Sequence, residues 1–138
     1  MSPQTASLMA PASAPAHVCR ISATIVMVSF DGDVDALNAH LLSTSIEETA
    51  HFSAQLVVDL SECEFFGTAG FFALQRGSFA CSRAGTAWRL VANREVRRAL
   101  ALCDPEGILP VCDSVTAAIA GLQGESRGRL RLVEPARV

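Results

Sequence analysis

Three short apolar runs, each followed by a longer segment with helical periodicity, constrain the fold of this chain most strongly. The run QLVVDL at 55–60 is almost unbroken, which is typical of a strand that is covered on both faces of its sheet. The runs TAWRLV at 86–91 and ILPV at 108–111 follow it. Strands that are joined through helices pair in parallel, with right-handed connections. The order therefore predicts an α/β fold whose central strands are parallel.

Two further strands and a helix are predicted ahead of this group. Residues 17–21 and 24–30 are apolar and β-branched around a two-residue link, as in a hairpin. After an acidic turn at 31–33, apolar residues recur at helical spacing, which predicts an amphipathic helix over 34–50 with Asp33 as its cap. Together the elements predict a single domain with a mixed β-sheet of about five strands and about four α-helices.

Capping residues and glycine delimit the other helices. The second helix is predicted over 68–83, because Gly85 ends it. Asn93 is placed to cap a third helix, and Asp113 or Ser114 a fourth. The spacing of the apolar residues predicts that the second helix turns one stripe inward, made of Ala69, Phe72, Ala73, Phe79 and Ala80.

Composition excludes several classes of function. The chain has 138 residues, a formal net charge of −3 and no lysine, so arginine supplies all its basic side chains. An acidic balance offers no broad basic face for nucleic acid phosphates. Without lysine there is neither a Walker-type phosphate-binding lysine nor a Schiff-base nucleophile. We expect a protein that is not an enzyme, uses no cofactor and does not bind nucleic acid.

The ends of the chain are expected to lie outside the folded domain. Residues 1–16 are uncharged and rich in Ala, Pro and Ser, which predicts a disordered N-terminal segment. The domain then spans 17–122, and 123–138 is predicted to be a flexible, arginine-rich tail in which LRLV could add an edge strand. No stretch approaches the roughly 20 apolar residues of a membrane-spanning helix. We therefore expect a cytoplasmic protein without direct membrane insertion.

The cysteines, the three histidines and the acidic turn offer little for metal chemistry. His40 and His51 lie near opposite ends of the first predicted helix and His17 lies beside the N-terminal segment, which disfavours them as metal ligands or as a base. The five cysteines are irregularly spaced without a C-x-x-C pair, which fits neither a zinc site nor a disulfide scaffold. Cys63 and Cys112 are predicted to lie in loops, where they are candidates for oxidation. The acidic segment 31–35 begins like a calcium loop, but Ala36 stands at the position of the tight-turn glycine. We predict no metal site.

The stretch GTAG at 67–70 lies at a predicted junction of strand and helix, on the sheet edge where α/β domains usually carry their sites. The first turn of a helix leaves backbone N–H groups free and carries a partial positive charge, which stabilises a phosphate. Two interpretations of Thr68 follow. Its hydroxyl is either a plain helix N-cap or the acceptor of a phosphate.

Three segments in continuous order resemble the STAS domain, the sulphate transporter and anti-sigma factor antagonist family. FDGDVDALNAHL is similar to its first turn and helix, and LVVDLSECEFFGTAGFFAL to its central strand and switch loop. The segment that begins with GTAWRLVAN is similar to its remaining half, so that the resemblance covers about 18–122. It implies the STAS fold and a binding role without catalysis by this chain.

The resemblance also implies a partner and a regulatory residue. Antagonists of this family bind an anti-sigma factor, often a serine kinase of the histidine-kinase-like ATPase superfamily, and so release a sigma factor for transcription. The kinase phosphorylates a Ser or Thr at the start of the second helix, which blocks binding. By position that residue is Thr68.

The chain departs from the family at one important position. Where the family usually has Asp-Ser-Ser-Gly or Asp-Ser-Ala-Gly, Gly67 replaces the aspartate and Thr68 the first serine. The carboxylate that is lost would serve as a hydrogen-bonding or kinase-recognition group. Binding is therefore switched at Thr68, is constitutive, or responds to cysteine oxidation.

The docking surface is expected on the switch loop and the exposed side of the second helix. Phe66, Phe71 and Leu74 do not all fit the predicted inward stripe, so we expect them to face outward, whereas Phe65 and Phe72 close the core. Exposed apolar area with a polar rim is common at partner sites. The alternative is that a neighbouring helix covers these side chains. The predicted partner-binding residues are Phe66, Gly67, Thr68, Ala69, Gly70, Phe71 and Leu74.

Two other classes of function remain open. A STAS subunit of a lipid or anion transport complex would share the fold and copurify with a membrane ATPase. A small enzyme with Cys63 or Cys112 as nucleophile is disfavoured, because no histidine is placed as its base.

Overall fold

The computed structural model describes residues 16–125, in which strands and helices alternate. The strands are β1 (Ala16–Arg20), β2 (Ile25–Phe30), β3 (Gly32–Val34), β4 (Gln55–Leu60), β5 (Cys63–Phe66), β6 (Ala87–Ala92) and β7 (Val111–Cys112). The helices are α1 (Ala39–Ala50), α2 (Thr68–Ala84) and α3 (Arg94–Cys103), followed by α4 over 115–125.

Five strands form the main sheet in the order β1-β2-β4-β6-β7. β1 runs antiparallel to β2, and every other neighbouring pair is parallel. Leu56 and Val58 of β4 belong to the core under α1, α2 and α3, whereas Val57 belongs to the cluster under α4. Because β4 is covered on both faces, its sequence is an almost unbroken apolar run. The predicted α/β class, the hairpin and the parallel central strands are confirmed.

The first helix begins later than the sequence predicts. α1 starts at Ala39, not at residue 34. The Asp35 side chain accepts hydrogen bonds from the backbone N–H groups of Leu37 at 3.0 Å and Asn38 at 3.3 Å. The Asn38 amide donates in turn to the Asp33 carbonyl at 2.8 Å. These bonds hold the chain in a turn ahead of the helix, so the prediction that Asp33 caps it is wrong.

A second, two-stranded sheet was not predicted. β3 pairs in parallel with β5, with Asp33 opposite Phe65 and Val34 opposite Phe66. Val34 and Phe66 are buried. Residues 63–66, expected to be part of a link, therefore form a strand that leads directly into α2.

Three other boundaries depend on side-chain hydrogen bonds. The predicted strand at 108–111 is wrong except for its last residue, because the Asp104 carboxylate accepts from the backbone N–H groups of Ile108 and Leu109, both at 3.0 Å. The predicted cap of α3 is confirmed, since the Asn93 side chain accepts from the Val96 N–H at 2.9 Å. Ser114 likewise caps α4 by accepting from the Ala117 N–H at 3.0 Å.

The predicted tails fall mostly outside the described residues. Ala16 begins β1, and the rest of the N-terminal segment 1–16 lies outside the described part. Residues 123–125 continue α4, and the remainder of the tail, with the LRLV run, also lies outside.

α1 and α2 approach each other closely at Gly77. A Cβ atom at this position would lie 2.8 Å from both Cδ1 and Cγ2 of Ile46. Ile46 is fully buried, and its β-branched side chain has few alternative rotamers. The absence of a side chain at 77 therefore allows the two helices to pack together.

We expect Gly77→Ala to lower the free energy of unfolding by about 1 kcal/mol, although alanine is the better helix former. The propensity gain of up to about 1 kcal/mol is outweighed by an overpacking cost of roughly 1–3 kcal/mol. Gly124→Ala is the matched control, because a Cβ atom at this helical position meets nothing within 4 Å. Urea unfolding measures both variants. Equal or higher stability of Gly77→Ala would show that the helices can separate without cost.

Candidate docking surface at the start of α2

Thr68 is the first residue of α2 and is exposed. Gly67 is the N-cap, in an extended conformation with φ −90° and ψ 179°, and no side chain caps the helix. The interpretation of Thr68 as the N-cap is therefore wrong by one position. Among the described residues, none forms a hydrogen bond with the Thr68 hydroxyl. The hydroxyl is accessible beside the free N–H groups of the first turn.

The small sheet and one glycine hold this turn in place. The Gly67 N–H donates to the Val34 carbonyl at 3.0 Å, which ties the N-cap to β3. A Cβ atom at Gly70 would lie 2.6 Å from Cε1 and Cζ of the buried Phe66 ring. Gly70 is thus required because the Phe66 ring lies against the backbone of the first turn.

The structure reverses the predicted division of the phenylalanines. Phe66, Phe71 and Leu74, expected at the surface, are buried with exposed fractions of 3%, 9% and 0%. Phe65 and Phe72, expected in the core, are 49% and 55% exposed. The prediction for α2 was wrong because it began the inward stripe at Ala69, whereas the buried stripe begins one residue later, at Gly70. The stripe that meets the sheet and α1 contains Gly70, Phe71, Ala73, Leu74, Gly77 and Cys81.

The opposite side of α2 carries Thr68 together with Phe72 and Phe79, which the sequence predicts in the core, and two arginines. We call it the outer stripe, and it consists of Thr68, Phe72, Arg76, Phe79 and Arg83, all exposed and spaced by three or four residues. Phe79 is 63% exposed. The signal that could have found this stripe is the recurrence of small residues at 70, 73, 77 and 81, since small residues mark the face on which a helix packs closely.

The sheet edge around Thr68 is acidic. Because β2 and β4 are parallel, the segments that follow them lie at the same edge, and these contain Asp31, Asp33, Asp35, Glu62 and Glu64. Arg94, at the start of α3, is a basic side chain at this edge. A phosphate on Thr68 would add negative charge beside carboxylates.

Cys63 and Cys112 do not lie in loops. Cys63 belongs to β5 and is buried, and its thiol donates to the Phe65 carbonyl at 3.2 Å. Burial raises the pKa of the Cys63 thiol to about 11, with a further contribution from the Asp33 carboxylate. Burial likewise raises the pKa of Cys81 to about 11. Cys112 lies in β7 and is half-buried.

The remaining sequence candidates do not form a site. Part of the acidic segment 31–35 is β3, and His40 and His51 lie near opposite ends of α1. Within residues 16–125, no cluster of His, Cys, Asp and Glu side chains is arranged to hold a metal ion. No helix in this range combines the length and apolarity needed to cross a membrane.

Comparison with known proteins shows the family. Residues 18–118 match the STAS domain. The chain is 32% identical over 113 residues to Osmosensory protein A of Mycobacterium tuberculosis, which covers 79% of this chain and 72% of that protein. The chain thus belongs to the STAS domain family, as its sequence segments indicated.

Solved structures of anti-sigma factor antagonists share the fold. One, from Mycobacterium paratuberculosis, superimposes with a TM-score of 0.70 at 24% identity, over 78% of this chain and 92% of the other. The antagonist SpoIIAA in its unphosphorylated form gives a TM-score of 0.65 at 11% identity, over 79% and 96% of the two chains. At these identities the likeness concerns the fold alone.

We expect exposed Cys19 to react with iodoacetamide at pH 8 far faster than Cys63 and Cys81. A thiol with a pKa of about 11 is only about 0.1% thiolate at this pH, and the thiolate is the nucleophile. A short labelling pulse followed by peptide mass spectrometry measures each cysteine, with the urea-unfolded chain as the control. Labelling of Cys63 at the rate of Cys19 would restore it as a redox candidate.

Proposed function

We propose that this chain is an anti-sigma factor antagonist, which binds an anti-sigma factor and thereby regulates sigma-dependent transcription. The observation that carries the proposal is the exposed Thr68 hydroxyl in the first turn of α2, on the same stripe as the exposed Phe72 ring. Exposed aromatic side chains beside polar groups are typical of partner surfaces. The shared fold with solved antagonists supports this role.

The docking surface differs in composition from the one that the sequence predicts. Phe65 and Phe72 join Gly67, Thr68 and Ala69 at the surface, because these positions are at least partly exposed. The other predicted contact residues lie beneath this surface, where the Phe66 ring packs against Gly70 and where Phe71 and Leu74 are buried.

Phosphorylation of Thr68 would act by direct contact. A phosphate adds roughly −1.5 to −2 charge at neutral pH. Although the helix N-terminus stabilises this charge in water, a partner that covers Phe72 must remove water from it, and desolvation of a charge is costly. We infer that the phosphorylated chain releases its partner, which would itself be the serine kinase.

Gly67 does not prevent an acidic side chain at the N-cap. Its φ of −90° is open to all residues, and a Cβ atom would lie 3.2 Å from the edge of the half-exposed Phe65 ring, which can rotate. The missing aspartate is therefore a difference in side-chain chemistry at the switch and not a consequence of the backbone. We infer that the kinase recognises Thr68 through other contacts.

The role proposed is binding without catalysis, in the cytoplasm, where sigma factors act. The raised pKa of Cys63 and its burial disfavour it as a nucleophile. They also disfavour Cys63 as the regulatory thiol, and we prefer Thr68 as the switch because it is exposed whereas Cys112 is half-buried. Nucleic acid is not proposed as a partner, because the surface around Thr68 is acidic.

We expect the wild type and Thr68→Ala to retain an anti-sigma factor from cell extract, and Thr68→Glu to lose it. Alanine removes the hydroxyl and the γ-methyl group but adds no charge, whereas glutamate places a charge in the apolar contact, for which we expect at least about a tenfold loss of affinity. Mass spectrometry identifies the captured protein, and titration with that protein, once purified, measures the affinities.

Two results would contradict the proposal in different ways. Equal binding of Thr68→Glu would remove the phosphorylation switch and leave a constitutive antagonist. Capture of a membrane transport ATPase instead of an anti-sigma factor would favour the alternative role as a STAS subunit of a lipid or anion transport complex.

A further inference from the structure

The outer stripe continues far beyond the turn that carries Thr68. From Thr68 to Arg83 it follows α2 for fifteen residues, which corresponds to about 22 Å at 1.5 Å per residue. Phe79, in the distal half, is more exposed than Phe72, at 63% against 55%. A phosphorylation switch at Thr68 explains the exposure of the nearby Phe72 ring but gives no role to the exposed Phe79 ring.

A groove borders the distal half of the stripe. It lies between the C-terminal halves of α1 and α2, has a volume of about 640 Å³, and its lining includes Glu47, Ala50, Ala80 and Ala84. The small side chains of the three alanines leave space between the helices beyond their close approach at Gly77. Phe79 and Arg83 form its wall on the side of α2.

The charge of the stripe changes sign along its length. The end near Thr68 lies beside the acidic sheet edge, whereas Arg76 and Arg83 occupy the distal half, where Glu47 of α1 is the carboxylate that lines the groove. The Arg83 guanidinium lies 5.4 Å from the centroid of the Phe79 ring. Within the described residues, no carboxylate lies within 4.0 Å of Arg83, and Arg76 has only an exposed contact of 3.9 Å to Glu47.

We propose that the partner covers the whole outer stripe, and that Phe79 and Arg83 form a second anchor that is independent of Thr68. The partner surface that fits is an apolar ridge, which enters the groove beside Phe79, with carboxylates that meet Arg83 and Arg76. Aromatic and arginine side chains dominate the affinity of protein interfaces, and complementary charge sets the orientation. The inference rests on the proposed function, since the partner is the same anti-sigma factor.

A second copy of this chain fits the stripe less well. In a symmetric pairing of antiparallel α2 helices the same surface meets itself, so the centre of the stripe lies on the twofold axis. Arg76 is next to that centre, and 72% of its side chain is exposed. The two Arg76 side chains would therefore approach each other, and like charges across an interface are unfavourable.

The test is a titration of the variants with the purified anti-sigma factor captured by the wild type. We expect Phe79→Ala and Arg83→Glu each to weaken binding at least about tenfold, as for interface hot spots, and Arg83→Lys to retain most of the affinity. Leu102→Ala is the control, because Leu102 is 82% exposed on a different helix. All these side chains are exposed, and unchanged thermal melting would show that the variants are folded.

The outcomes separate the two proposals. If Phe79→Ala and Arg83→Glu bind as tightly as the wild type while Phe72→Ala and Thr68→Glu bind weakly, the second anchor is wrong and the proposed function stands. If none of the four substitutions weakens binding, the partner docks elsewhere, so that the second anchor and the docking surface at Thr68 are both wrong, while capture of the anti-sigma factor leaves the antagonist role standing. If the wild type sediments as a dimer that Phe79→Ala dissociates, with affinity for the anti-sigma factor unchanged, the stripe belongs to a second copy and the inference is overturned.

Discussion

The contact on which the candidate site depends is the packing of the Phe66 ring against the backbone of the first turn of α2. It needs a glycine at position 70, and it needs β5 to run into the helix without a loop. The hydrogen bond from the Gly67 N–H to the Val34 carbonyl then joins this junction to β3. Together with the contact between Gly77 and Ile46, this packing sets the rotation of the helix, and the outward positions from Thr68 to Arg83 follow from it.

Much of the fold could be predicted from the sequence because its central strands are buried on both faces. β4 and β6 have apolar runs, which in a small α/β domain are typical of strands covered on both faces. At the starts of α3 and α4, the side-chain oxygens of Asn93 and Ser114 accept a hydrogen bond from a backbone N–H group, which is the usual form of a helix cap. β3 and β5 could not be predicted in this way. They have three and four residues, their pairing is not local, and the burial of Val34 and Phe66 depends on tertiary contacts.

The site was harder to predict than the fold, for a physical reason. With aromatic residues at 71, 72 and 79 and small residues between them, several rotations of α2 bury a similar apolar area, so hydrophobicity alone does not choose between them. Close packing does choose, since only the face with Gly70 and Gly77 can approach both Phe66 and Ile46. The prediction that Thr68 lies at the start of the helix was unaffected by this error, because it depends on the helix terminus and not on the rotation.

The same packing limits how a switch at Thr68 can act. Phe66 holds the first turn of α2, Leu74 is fully buried in the core, and Gly77 lies against Ile46. A phosphate in water at the exposed N-terminus opposes none of these contacts, and the helix dipole favours it there. The energy to rotate or unwind α2 is therefore not available from the modification. On the proposed function, a regulatory effect of the phosphate therefore comes from the surface that the partner touches, through the chemistry of the outer stripe and not through a change in fold.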